Sequence, residues 1–261
     1  MSAETYTAAI LIIGDEILSG RTVDQNTPWI AEKLAEHGIK LREVRVVPDD
    51  YTDIINAVNA LRSHYTYLIT TGGIGPTHDD ITAAAIAQAF AVPVKEDPDA
   101  RKILEDYYGT RELNDARLKM AAVPEGAVLI DNPVSGAPGF KMENVYVLAG
   151  VPRIMQGMLE GFIDGLIGGD PMLSNTITCD LYESQVAKDL GSLQDKYPDV
   201  SIGSYPQYRG GILGLSLVLR ATDAALLDNA TDEVIAVIEA LGGTASAVNI
   251  RGNETKSRET G

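Results

Sequence analysis

TTGGIGPTHDDIT, residues 70–82, sets three glycines and a proline directly after an apolar run and follows them with two adjacent aspartates. Gly72, Gly73 and Gly75 permit positive φ and close approach of backbone to a ligand, and Pro76 stiffens the exit. A helix expected over Asp79–Phe90 adds the unpaired N–H groups and the positive dipole end of its first turn, so the stretch reads as strand, anion cradle, helix. Phosphates suit such a cradle, but carboxylates repel them. The plain reading of Asp79 and Asp80 is favourable charge in the first turn of a helix, worth about 0.3–1 kcal/mol each. The functional reading is a divalent cation such as Mg²⁺ that bridges these carboxylates to a substrate phosphate and polarises it.

Working outward, Tyr65–Thr70 leads into the loop as a strand, and Ala8–Ile13 is an unbroken apolar run ending at Gly14, as in a strand buried on both faces. Asn26 caps a helix through PWIAEKLAEHG that closes at Gly38, Ile39–Val47 reads as a strand, and Thr52–Ser63 has helical apolar spacing. Ala100–Tyr108 and Glu112–Met120 are expected helices, Ala127–Ile130 and Val145–Leu148 expected strands, and a helix begins near Pro152 and runs toward Ile167. This alternation implies parallel βαβ units with helices on both faces of the sheet and ligands beyond the carboxyl ends of the strands. After GGDPMLSN at 168–175, which reads as a hinge, the pattern changes. Thr176–Leu181, Val200–Tyr205 and Gly214–Ala221 are expected strands, and Glu183–Tyr197 and Ala224–Leu241 expected helices. The fold class is α/β: a domain with a mostly parallel sheet over 1–169, a small α+β domain over 170–243, and a flexible tail over 244–261.

Composition narrows the function. The formal net charge of −16 and pI near 4.5 exclude a sequence-independent grip on nucleic acid, which needs clustered Lys and Arg. An anionic substrate would be repelled by the overall field and would need local donors or a metal ion. The single cysteine, Cys179, permits no intrachain disulfide, no stretch approaches the roughly 20 apolar residues of a membrane helix, and the N-terminus has no basic leader. A soluble, cytoplasmic protein with no membrane partner is expected.

Three further stretches fall at strand ends. GDEIL at 14–18 places Asp15 and Glu16 beyond the first strand, with Asp24 and Asn26 following as either turn and cap residues or ligand contacts. NPVSGAPGF at 132–140, which contains Gly139, reads alone as a surface turn joining two strands. LAGVP at 148–152 reads as strand, tight turn and helix start.

GDEILSGRTVDQN at 14–26, TGGIGPTHDD at 71–80, APGF at 137–140 and GVP at 150–152, in this order, resemble the competence/damage-inducible protein A family, whose N-terminal part is a molybdopterin-binding (molybdenum cofactor biosynthesis) domain. The resemblance spans nearly the whole chain. It implies a three-layer α/β/α molybdopterin-binding-like domain, a small KH-like second domain, and a homo-oligomer, expected as a dimer. The C-terminal deamidase domain of longer relatives lies outside this sequence. Two chemistries are implied, metal-dependent hydrolysis of ADP-ribose or a similar dinucleotide, and binding of molybdopterin with, in some members, adenylylation by ATP. By the same resemblance Thr71, Gly72, Gly73, Gly75 and Gly139 would bind phosphate or substrate, Asp79 and Asp80 would be catalytic and hold the metal, and Asp15, Glu16 and Asn26 would line the pocket. Ala149 and Ile154 depart from the family pattern, replacing a proline and a glutamate.

The first expectation is therefore a metal-dependent nucleotide pyrophosphatase, a hydrolase with a divalent-metal cofactor. Arg21 or Arg153 would neutralise charge, and His78 is a candidate base. The alternatives are a molybdopterin-binding protein, possibly an adenylyltransferase, with a pterin as its ligand, and a non-catalytic nucleotide-binding protein.

Overall fold

The computed structural model describes residues 5–109, 113–209, 212–251 and 254–257. The chain divides into two compact units between Gly169 and Asp170.

The first unit begins with β1 (Tyr6–Ile13), a one-turn α1 (Asp15–Leu18), α2 (Asn26–Glu36) and β2 (Ile39–Val47). It continues through α3 (Tyr51–Arg62), β3 (Tyr67–Thr71) and α4 (Thr82–Ala89). A side layer follows, made of β4 (Val94–Glu96), α5 (Pro98–Tyr108), α6 (Asp115–Leu118) and β5 (Ala122–Pro124). The unit then returns through β6 (Val128–Ile130), β7 (Gly139–Met142), β8 (Val145–Leu148) and α7 (Pro152–Glu160).

The main sheet has the order β2-β1-β3-β8-β7-β6, parallel across its first four strands and antiparallel across the last two pairs. The unbroken apolar run of β1 has a simple cause. Ala8, Ile10 and Ile12 face α2 and α7, where they meet Ile30, Leu34 and Met155, while Ala9, Leu11 and Ile13 face α3 and α4, where they meet Ile54, Leu61 and Ile86. A strand covered on both sides has no polar face. The helices start where side chains can satisfy their first N–H groups: the Asp50 carboxylate accepts from Thr52 and Asp53, and the Asp97 carboxylate from Asp99 and Ala100.

Several expectations change in this unit. The helix after the glycine loop begins at Thr82 rather than Asp79, because Asp79 and Asp80 bond back to Thr77 instead of capping a first turn. The helix expected over Glu112–Met120 reduces to α6 and a 3-10 turn at Lys119–Ala121, Glu112 lying outside the described residues. The mostly parallel sheet gains an antiparallel flank because Gly139–Met142, whose first two residues were read as the end of a loop, pairs with both Val128–Ile130 and β8.

The second unit comprises β9 (Leu173–Cys179), α8 (Glu183–Lys196), β10 (Ser201–Arg209), β11 (Ile212–Ala221), α9 (Ala224–Ala240), β12 (Ala245–Arg251) and β13 (Glu254–Ser257). Its sheet has the order β10-β11-β9-β12-β13, and every described pair in it is antiparallel. Ile177, Leu217, Leu219, Val186, Leu227 and Val234 form its core. The described part of 244–261, expected as a tail, instead supplies two strands. β9 presents a free row of backbone donors and acceptors, which β12 covers, with Ala245 and Ala247 packed on the core. Among the described residues no helix is long and apolar enough to cross a membrane.

Candidate functional site

The parallel strands β1, β3 and β8 end side by side at Ile13, Thr71 and Leu148, and a glycine lies just beyond each: Gly14, Gly72 and Gly150. Gly72 sits at φ +107° with its N–H donated to the Leu148 carbonyl at 3.1 Å, and a Cβ on it would lie 2.1 Å from the Ile13 carbonyl oxygen. No other residue type fits there without moving a strand. Gly73, at φ +67°, is closed over Thr82, whose hydroxyl donates to the Gly72 carbonyl at 2.9 Å and whose N–H donates to the Gly73 carbonyl at 3.0 Å. The loop is thus tied at its base to the start of α4.

Beyond these strand ends lies a cavity of about 690 Å³. One side is built by Gly72, Gly73 and Gly75 with the carboxylates of Glu16, Asp49, Asp79 and Asp80, another by Tyr108, Arg117 and Met120, and a third by Asn132, Ser135, Ala149 and Ile154. A second cavity of about 300 Å³ lies behind the same loop, lined mainly by apolar residues such as Ile81, Val123 and Phe140 and reached by Lys119, whose ammonium donates to the Thr77 carbonyl.

The expected site residues are not all brought together. Glu16, Gly72, Gly73, Gly75, Asp79 and Asp80 line the large cavity. Asp15 does not; its backbone N–H donates to the Asp49 carboxylate at 3.1 Å and so positions Asp49. Asn26 is buried under the rim, its amide donating to the Gly150 carbonyl at 2.8 Å while its Oδ1 has no partner. Thr71 is buried with an unpartnered hydroxyl, and Gly139 is packed beneath the Val147 carbonyl and Met158. Arg21 and Arg153 are exposed and outside the lining, and the His78 ring is 99% exposed.

The loop aspartates are committed to their own turn. The Thr77 N–H donates to Asp80 at 2.7 Å, and the Thr77 hydroxyl is held between the Asp79 and Asp80 carboxylates. The Thr77 hydroxyl and the residue's own N–H hold the Asp79 carboxyl below its usual range. Asp49 moves the other way: burial pushes its carboxyl up, the N–H of Asp15 opposes this, and the charges of Asp15, Glu16 and Asp79 add to the rise. Asp49 is a site residue that the sequence reading missed. It follows β2 directly after Pro48, so the strand-end rule that selected Asp15 applies to it equally. Asn132 was also missed as an organiser: its amide donates to Ser135 Oγ and the Ala137 carbonyl, both at 2.7 Å, and its oxygen accepts from the N–H groups of Val134 and Ser135.

Comparison with known proteins places this geometry. Residues 9–169 match the family described as probable molybdopterin binding domain, and residues 171–242 match the middle domain of FAD synthase. Protein PH0439 of Pyrococcus horikoshii is 33% identical over 250 residues, covering 90% of this chain and 95% of the relative. A relative from Aeropyrum pernix is 32% identical over 259 residues, covering 92% and 96%. The crystal structure of the protein CinA from Thermoplasma acidophilum, described as of unknown function, superposes with a TM-score of 0.59 at 34% identity, over 62% of this chain and 99% of that one. These findings overturn the expected metal-dependent pyrophosphatase and its hydrolase and metal-binding features. The matched family is one of molybdopterin binding, and among the described residues no group of three or more His, Cys, Asp or Glu is placed to hold a metal ion. The physical reason for the misreading is that two carboxylates adjacent in sequence are turned onto Thr77.

Proposed function

The chain belongs to the CinA family, its N-terminal part being a molybdopterin-binding domain, and from that premise we propose that it binds a molybdopterin-type ligand, a pterin bearing a phosphate, in molybdenum-cofactor assembly. The observation that carries this reading is the coincidence of the matched region, 9–169, with a cavity of about 690 Å³ at the strand ends, where acidic and apolar walls meet. A cavity of this size suits a small organic ligand. The 2-amino group and ring N–H of a pterin form a flat edge of two donors, which a carboxylate accepts in a bidentate pair. Asp49 is the carboxylate proposed to read that edge, and the glycine loop lets the ring lie close to backbone. The apolar surfaces of Ala149 and Ile154 contact the ring in this reading. Family membership also supports a cytoplasmic homodimer whose second unit is the KH-like companion.

The test is titration of the purified protein with molybdopterin, followed by quenching of Trp29 and of pterin fluorescence, with and without ATP. Saturable binding that weakens in Asp49→Asn is expected, and an adenylylated product in the presence of ATP would show that the protein also acts on its ligand. Absence of binding by any pterin would overturn the reading.

A further inference from the structure

A ring nitrogen that meets an acceptor must carry a proton, and both nitrogens of His37 meet one. Nδ1 lies 2.8 Å from the Lys33 carbonyl, one turn back on α2, and Nε2 lies 2.9 Å from the Asp164 carboxylate. A neutral imidazole has one donor and one acceptor, so it can satisfy only one of these partners. Both contacts hold together only in the imidazolium. The geometry therefore fixes a charge state, and for histidine that state changes near neutral pH.

The surroundings favour the charged ring. His37 follows the last turn of α2, where the negative end of the helix dipole stabilises a cation. Burial works against the charge, but the bond to Asp164, the Lys33 carbonyl and the charges of Asp164 and Glu36 outweigh it and carry the imidazole above its usual value. The Lys33 ammonium is itself paired with Glu36 at 2.7 Å, with Glu32 and with Glu160 of α7 acting on it as well, so its charge is balanced locally.

Asp164 lies in a 3-10 turn, Ile163–Gly165, that opens the last segment of the first unit before the boundary at Gly169. The same segment is held at three further points. Gly168 lies against the His37 carbonyl, where a Cβ would stand 1.7 Å from the oxygen, and the Gly169 N–H donates to the Gly38 carbonyl at 3.2 Å. The Tyr67 hydroxyl donates to the Ile167 carbonyl and accepts the Ile167 N–H, both at 3.0 Å. His37 and Gly38 are thus the anchorage of this segment, and the imidazole is the member of the set that titrates near neutral pH.

We propose that residues 163–169 form a connector clasped to the first unit by His37, and that pH operates the clasp: it is closed when both ring nitrogens are protonated and loosened when one proton leaves. The sign follows from the raised folded-state value. The clasp is complete below the ordinary histidine range and is lost as pH rises through the value of the folded protein. The Asp164 carboxylate is 91% exposed, so water screens the pair and the outcome is a graded loosening rather than detachment.

Hydrogen exchange read by mass spectrometry on the full-length protein, from about pH 6 to about pH 9 and corrected for the base catalysis of exchange, tests this on the peptide covering 163–169. Protection of the wild-type connector should fall about threefold across that range, the scale of an exposed ion pair. Asp164→Asn is the deciding variant, and the exposure of Asp164 means that the change leaves the core intact. Its amide can turn an N–H toward the neutral Nε2 or its oxygen toward the charged ring, so the contact survives at both ends of the range and the step should vanish. The His37 ring protons, assigned in nuclear magnetic resonance spectra by their absence from His37→Gln, should titrate above the ordinary histidine value in the wild type and lower in Asp164→Asn. Protection that does not change with pH in the wild type, a step of the same size in Asp164→Asn, or a His37 that titrates at or below the ordinary value overturns the proposal.

Discussion

Replacing Gly72 by alanine is the most searching test of how the strand ends are built. The new Cβ would stand 2.1 Å from the Ile13 carbonyl oxygen, so backbone must shift by about 1 Å to reach ordinary contact. That carbonyl cannot yield easily, because it ends a strand paired on both sides, with β2 and with β3. Alanine at φ +107° adds backbone strain of about 1–3 kcal/mol, and overpacking adds about 1–3 kcal/mol more. The sum, about 4 kcal/mol, is a large share of the 5–15 kcal/mol that typically holds a domain together. With a urea slope of about 2 kcal/mol/M the midpoint should fall by about 2 M. Trp29 is the only tryptophan and lies on α2 in the first unit, so its fluorescence reports the unit that carries the change. Gly75→Ala is the matched control. Its Cβ would meet the Asp80 side chain rather than a strand carbonyl, at a backbone outside the positive-φ region, so its cost should be smaller than that of Gly72→Ala. A Gly72→Ala protein that unfolds within 1 kcal/mol of the wild type, or two variants of equal stability, would refute the account of the crowded strand ends.

Asp49→Asn should stabilise the protein slightly at neutral pH. Burial raises the native carboxyl above its unfolded value, so its ionisation costs stability as pH rises through that window, and the gain should be a few tenths of a kcal/mol after solvent screening, fading as pH falls into the ordinary carboxylate range. Urea titrations at pH 7 and pH 4 check this; a variant that loses stability at pH 7 contradicts it. Asn132→Ala should cost about 2 kcal/mol and weaken pterin binding, because four hydrogen bonds that shape the loop around Ser135 disappear together, and calorimetry showing an unchanged melting temperature would rule this out. In the second unit, Thr231→Val should cost about 1–3 kcal/mol by removing the acceptor of buried Asn175 at 2.9 Å, whereas the double change Asn175→Val, Thr231→Val should recover most of it. Thermal circular dichroism that ranks the double variant below the single one would disprove the buried-pair argument.

Where the sequence was legible, one physical signal dominated. The apolar run of β1 and the helical spacing of α2, α3 and α9 require only burial and periodicity, which local composition records. β7 was hidden because GFKM closes a glycine–proline loop and becomes a strand only through its two neighbours. β12 was hidden because Ala245 and Ala247 are too small to print an apolar pattern. The site shows the same division. The glycine loop is visible because positive φ demands glycine, whereas the wall of Tyr108 and Arg117 comes from the side layer between α4 and β6, far from any strand-end motif. Two neighbouring aspartates read as a metal site, yet the bonds to Thr77 that settle their direction depend on where the following helix starts.

The sheet of the second unit carries a consequence for the order in which it assembles. β9, the strand by which the chain enters, lies beside β12, with Ser174 across from Ile250 and Cys179 across from Ala245. Partners so distant along the chain meet only after a long loop has closed, and the entropic cost of that closure comes before any ladder bond is gained. β10 and β11, neighbours in the chain, face no such delay. The unit's first strand is in this sense completed among its last.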